Sequence, residues 1–305
     1  MKNVINFYYN MNVMNVYELG NKFYFNYNNK DYYFMAFDRK IEDAQGIYNL
    51  YVELKNRGII TNSIVVNKDN QIITFLDKRP YILIRDDVSN RFITINDIIY
   101  IQNNTVKTIN DRKLFRNNWI NLWQIKINYY EEQMNNISNK YCILKNSIDY
   151  YIGLGENAIS YLVYNKIKND NVCLSHIRID LNKNAFDFYN PINYIIDNRV
   201  RDISEYIKNL YFYDNVGCDM IIYYLNYLNL NKEEYILLIS RLLFPTYYFD
   251  VYDKILIGNL DEKIIEPIIN KTNNYINLVK QIMLFAIYQK GFNIPFIDWI
   301  IKNTD

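Results

Sequence analysis

The spacing of apolar residues changes once along this chain, and that change limits it to a β part followed by a helical part. Up to about residue 87 the apolar side chains fall in short, aromatic-rich runs. KFYFNYN at 22–28 and DYYFMAF at 31–37, separated by Asn28, Asn29 and Lys30, predict an antiparallel hairpin. Residues 42–56 then place Ala44, Ile47, Tyr48, Tyr51, Val52 and Leu54 at helical spacing, and Arg57 with Gly58 supplies a last-turn cation and a stop. Short runs at 63–66, 71–76 and 81–85, set between the turn Asn67-Lys68-Asp69-Asn70 and Pro80, predict further strands. Beyond Asp86 and Asp87 the apolar period becomes helical, over 114–134, 147–168, 200–211, 218–228, 232–243 and 275–289. The expected fold class is therefore α+β, with a small antiparallel β lobe carrying one helix over 1–87 and a large, mainly helical lobe over 88–305.

Bulk properties narrow the partners. With 34 basic and 33 acidic residues the formal charge is +1, so no global field attracts nucleic acid or an anionic membrane. Cys142, Cys173 and Cys218 are odd in number and widely spaced, without a CxxC and with a single histidine, which argues against a zinc site or a disulfide framework. The expected compartment is reducing and cytoplasmic. No run approaches the ~20 apolar residues of a membrane span, and MKNVINFYYNMNV alternates too closely to form a signal-peptide core. The 32 tyrosines are ascribed to compositional bias before function.

The segment NVCLSHIRIDLNKNAFDFYNPINYII, starting at Asn171, interrupts the helices and is the expected seat of chemistry, because loops on a rigid scaffold carry function. Phosphate-binding signals are missing elsewhere. There is no GxxxxGK[ST], and Gly20 precedes the first predicted strand rather than sitting in its turn. The strand before the first helix offers Tyr33, Phe34, Met35, Ala36 and Phe37, with Arg39 and Lys40 only beyond its end, so it lacks the lysine that a kinase-type site uses for phosphates.

Leu174-Ser175-His176-Ile177-Arg178, then Phe186-Asp187-Phe188, then Arg199-Val200-Arg201-Asp202-Ile203-Ser204-Glu205-Tyr206 resemble the catalytic-loop region of the aminoglycoside-phosphotransferase branch of the protein-kinase-like superfamily. Residues 123–131, 151–161, 200–206 and 241–250 resemble spore-coat kinase-like proteins of the CotS and YutH type; here Gly155 is expected to allow close helix approach and Arg241 to anchor a carboxylate. The resemblance implies a two-lobed protein-kinase-like fold with a degenerate catalytic-loop region at 171–198. It matches His176 to the loop histidine, read as a buried brace, and Asp202 to a structural acid. Arg178 stands where the catalytic aspartate belongs and cannot accept a proton, its pKa lying above ~12. Asp180 is then the candidate displaced base, Asn182 or Asn184 the candidate ligand toward ATP and Mg²⁺, and Asp187 the candidate metal ligand; an Arg178–Asp187 ion pair would instead mark a closed, structural loop. Two readings follow. One is a pseudokinase that binds other proteins, spore-coat components among them, or a small molecule in an interlobe cleft, on the mother-cell side or in the coat. The other is an ATP- and Mg²⁺-dependent phosphotransferase acting on a small molecule or sugar.

Overall fold

The computed structural model describes the chain except for residues 89–90, 106–111, 138–139, 168–170, 180–183, 259 and 303–305. It divides into two compact units, Met1–Arg116 with Asn171–Arg199, and Asn117–Asp170 with Val200–Asp305.

The first unit is built on an antiparallel sheet of β1 (Tyr17–Leu19), β2 (Lys22–Tyr27), β3 (Lys30–Ala36), β4 (Ser63–Val65), β5 (Thr74–Leu76) and β6 (Arg79–Asp86), in the order β1-β2-β3-β6-β4 with β5 also paired to β6. The predicted hairpin is β2–β3, and Asn28 and Asn29 both take φ near +50°, the left-handed pair that a two-residue turn requires and asparagine tolerates. A second hairpin precedes it: β1 pairs with β2 across Gly20-Asn21, with Gly20 at φ 61°. Alternation sorts the aromatic residues between two faces. Phe25, Tyr32, Phe34 and Leu83 pack beneath Ile5 and Tyr9 of α1 (Lys2–Tyr9) and Val13. Tyr24, Tyr33 and Met35 point the other way, toward the inner face. Helix α2 (Ala44–Asn56) lies against β4 and buries Ile47, Leu50 and Leu54.

The later part of this unit is a two-stranded antiparallel sheet of β7 (Val172–His176) and β8 (Tyr194–Asn198), joined through the one-turn helix α6 (Ala185–Phe188) and a 3₁₀ turn at Pro191–Asn193. Helix α3 (Ile95–Thr105) packs on β7, where Thr105 Oγ1 accepts from the Leu174 amide at 3.0 Å.

The second unit is helical: α4 (Trp119–Asn136), α5 (Cys142–Asn165), α7 (Val200–Phe212), α8 (Cys218–Tyr227), α9 (Lys232–Leu243), α10 (Thr246–Gly258), α11 (Glu266–Leu284) continued by a π-helical turn at Phe285–Gln289, and α12 (Asp298–Lys302). Helix α9 is the hub, packed by α5, α7 and α11. Its core is largely aromatic: Trp123 stacks on Phe244 at 4.5 Å, Tyr130 on Phe249 at 3.9 Å and Tyr151 on Tyr248 at 3.6 Å. A buried charge cluster sits among these rings. Glu205 holds Lys208 at 3.4 Å and Arg241 at 3.2 Å, and Lys208 also donates to the Phe244 carbonyl and Thr246 Oγ1. Such a cluster tolerates burial because its charges are paired and hydrogen-bonded.

Gly155 lets α5 approach α4. A Cβ there would meet Ile127 Cδ1 at 2.5 Å and Phe244 Cε2 at 3.4 Å, whereas one at Gly153 would meet nothing within 4 Å. The two glycines are therefore expected to respond with opposite signs in urea unfolding. Gly155→Leu should destabilise by about 1–3 kcal/mol through overpacking, and Gly153→Ala should stabilise by about 0.5–1 kcal/mol through helix propensity.

Candidate functional site

The segment that follows β7 packs on part of the inner face of the sheet, where Lys22, Tyr24, Tyr33 and Met35 stay partly exposed. Phe186, on α6, lies with its ring centroid 4.1 Å from that of Tyr33 and is 3% exposed. Beside this contact Lys22, the first residue of β2, reaches Asp187 with Nζ 2.9 Å from Oδ1, and the ammonium lies 5.0 Å from the Phe186 ring centroid. Lys22 is directly across from Met35 in the β2–β3 register, and Met35 Sδ in turn accepts from Asn190 Nδ2. On the inner face beside Tyr33 and Met35 of β3, the cation thus comes from the neighbouring strand β2. The Tyr33 phenol is pushed up to about 12, first by burial and then by the carboxylates of Asp86, Asp31 and Asp187.

The segment is fastened at many points. Asn62 donates from Nδ2 to the Phe186 carbonyl at 3.0 Å and from its amide to the Tyr189 carbonyl at 2.9 Å. The Ala185 amide donates to the Arg91 carbonyl at 2.9 Å, and Asn193 Nδ2 to the Asp187 carbonyl at 2.8 Å. His176, 1% exposed, places Nε2 2.8 Å from the Phe188 carbonyl oxygen and stacks on the Phe188 ring. Arg39 sends Nη1 to the carbonyls of Ile192 and Tyr194 and Nη2 to Asp43, which ties the start of α2 to β8. Tyr189 Oη donates to Asp97 Oδ1 at 2.7 Å, and Arg91 pairs with the same carboxylate. Burial works against the charge of Asp97, yet the donors Arg91, Tyr189 and the Thr94 amide outweigh it and hold the carboxyl at about 2.

Of the residues singled out from sequence, Asp180 and Asn182 lie outside the described residues. Asn184 uses its Oδ1 to cap α6, accepting from the Phe186 amide at 2.8 Å. Asp187 is on the one-turn helix and is held by Lys22. Arg178 is half-buried and donates from Nη1 to the Ile177 carbonyl at 3.1 Å. Asp202 is buried in the first turn of α7, in the other unit. Two residues were not singled out. Lys22 shows itself only through the register of β1, β2 and β3. Asp197 is fully buried near the end of β8, the strand directly before the helix that carries Arg201 and Asp202, with Oδ1 accepting from the Asn198 amide.

At α6 one carboxylate oxygen of Asp187 is thus held by an ammonium, and the side-chain oxygen of Asn184 is used as a helix cap. Among the described residues no group of three or more His, Cys, Asp or Glu side chains is gathered to hold a metal, and no helix is long and apolar enough to cross a membrane.

A small antiparallel sheet with two packed helices, a strand pair bearing the histidine segment, and a larger helical unit define the two-lobed, kinase-like fold. Solved structures agree. An aminoglycoside phosphotransferase from Alicyclobacillus acidocaldarius is 11% identical with a TM-score of 0.58, over 92% of this chain and 93% of that one. Amicoumacin kinase hAmiN in complex with AMP-PNP, Ca²⁺ and Ami is 12% identical with a TM-score of 0.56, over 92% and 91%. Choline kinase LicA from Streptococcus pneumoniae is 12% identical with a TM-score of 0.51, over 88% and 94%. The family described as "Spore coat putative kinase YutH" matches residues 2–282, and the chain belongs to that family. The endospore coat-associated protein YutH of Bacillus subtilis (strain 168) is 26% identical over 178 residues, which span 52% of each chain, about half the length of that relative.

The anchoring of Tyr189 by Asp97 has a pH signature. Because the folded carboxyl lies below its ordinary 3.8, its stabilisation is present above that value and is lost as pH falls through about 2. Asp97→Asn is expected to lower unfolding free energy at neutral pH by about 1–2 kcal/mol, discounted for the solvent reaching Arg91. Denaturant titrations from pH 7 down to 2 should show the gap between wild type and variant closing at the acid end.

Proposed function

We propose that this chain serves in the endospore coat as a kinase-like binding protein that does not transfer phosphoryl groups, and that its partners are other proteins. The observation that carries this reading is the contact of Tyr33 with Phe186, closed at one end by the Lys22–Asp187 ion pair. In kinase-type sites the nucleotide phosphates lie beneath a Gly-rich loop of the sheet and beside a strand lysine. A flat base held between two walls needs about 7 Å between them, twice the ~3.5 Å contact distance of carbon atoms. Tyr33 and Phe186 leave 4.1 Å between ring centroids, and the loop between β1 and β2 is a two-residue turn. Arg178 supplies no base for an acceptor hydroxyl. Partnership with other coat proteins is supported by family membership and by the B. subtilis relative, which is itself coat-associated.

One observation favours the phosphotransferase reading: a lysine and a carboxylate stand within reach of each other on the inner face, with a buried acid, Asp197, at the end of β8. On that reading Lys22 would release Asp187 to take phosphate oxygens, and the substrate would be a small molecule or sugar.

Thermal unfolding with and without MgATP separates the two. A ligand at ~100 times its dissociation constant adds ~2.7 kcal/mol to a native state that alone binds it. The binding-protein reading predicts an unchanged midpoint at millimolar MgATP. A magnesium-dependent rise that disappears in both Lys22→Met and Asp187→Ala would replace it with the phosphotransferase.

A further inference from the structure

Helix α8 has two apolar faces, and only one is used inside its unit. Ile221 and Leu225 are fully buried, while Met220, Tyr223 and Tyr227, spaced three, four and seven residues apart on the opposite side, are 48%, 54% and 67% exposed. The Tyr223 and Tyr227 rings are 4.9 Å apart and their phenols are joined by a 3.0 Å hydrogen bond, so the two side chains form one stiff ridge. Alongside runs a groove of about 340 Å³ with a floor of Ile222, Leu284 and Phe285. Its far wall is the π-helical turn, whose wider winding sets Tyr288 on the surface at 71% exposure. Exposed aromatic ridges of this kind mark association surfaces.

We propose that this face is an isologous dimer contact, occupied by a second copy of this chain, in which the Met220–Tyr223–Tyr227 ridges of the two copies pack against each other antiparallel. Two features select the second copy. The ridge is self-complementary under an antiparallel two-fold, which sets Tyr223 against its own copy and Met220 of each chain against Tyr227 of the other. The charges also match under that symmetry: Asp219 is in the first turn of α8, and Lys290 donates to Asn226 near the helix's other end at 3.0 Å. An antiparallel α8 pair centred on Tyr223 brings Asp219 of each copy to Lys290 of the other and opposes the helix dipoles favourably. Covering Met220, Tyr223 and Tyr227 of each copy, about half-exposed or more, removes roughly 700–800 Å² in total, the size of a weak, reversible contact rather than an obligate one.

Sedimentation equilibrium on the full chain tests this. A monomer–dimer equilibrium is expected with a dissociation constant on the order of tens of micromolar. Tyr223→Ser should abolish it, and Asp219→Lys or Lys290→Asp alone should weaken it about tenfold or more through two symmetric like-charge contacts. The double variant Asp219→Lys/Lys290→Asp should restore it. Circular dichroism establishes that each variant is folded, as expected for exposed positions. A chain that stays monomeric at several hundred micromolar overturns the proposal. So does a dimer indifferent to Tyr223→Ser, or a double variant that fails to recover.

Discussion

The contact between Tyr33 and Phe186 is the constraint on which the first unit depends. It joins the inner face of the sheet to the segment between β7 and β8, and everything nearby serves to hold that segment there. Asn62 grips it from the start of β4, Arg91 from the loop before α3, His176 from the end of β7, and Arg39 from the approach to α2. A hydrogen bond placed partly out of water is strengthened by the lower local dielectric. The Lys22–Asp187 pair gains in the same way, since both side chains are about three-quarters buried. Part of the inner face of the sheet is here a packing surface for that segment.

The helical unit depends on a different device. Glu205, Lys208 and Arg241 bring three charges into an aromatic core, and each finds a partner supplied by the 200–208 or the 241–246 segment. Removing one member would strand the others in a low-dielectric interior. Pro245 stops α9, and Thr246 both begins α10 and hydrogen-bonds to Lys208, so one short segment sets the direction of two helices and completes the charge cluster.

This explains which parts of the fold were legible in the sequence. The hairpin at β2–β3, helix α2 and helices α4, α5, α7, α8 and α9 all announce themselves through periodicity, although α7 and α9 are buried on nearly all sides. Arg241 finds its carboxylate in Glu205, and Gly155 makes the close approach its position suggested. Strand β1 was missed because three residues cannot display alternation. Gly20 therefore read as a residue before the first strand, when it forms the turn of an extra hairpin. Helix α1 was missed because its eight residues contain only two fully buried positions, Ile5 and Tyr9. The break at Pro245 concealed α10, which restarts one residue later.

The candidate site was less legible, for a physical reason. Lys22 acquires meaning only when the strand register sets it across from Met35 and the chain returns 165 residues later with Asp187. No local pattern encodes such a pairing. Asn184 makes a local contact as the cap of α6, and Asp187 a tertiary one as counter-ion to Lys22.

The central claim is that the chain itself packs on part of the inner face of the sheet, and amide hydrogen exchange over residues 184–189 tests it most directly. Protection comparable to that of β3, unchanged by millimolar MgATP, is the predicted result, because the segment is part of the packed unit. Exchange much faster than that of β3, slowed on addition of MgATP, would show that the segment gives way to a nucleotide and would contradict the account.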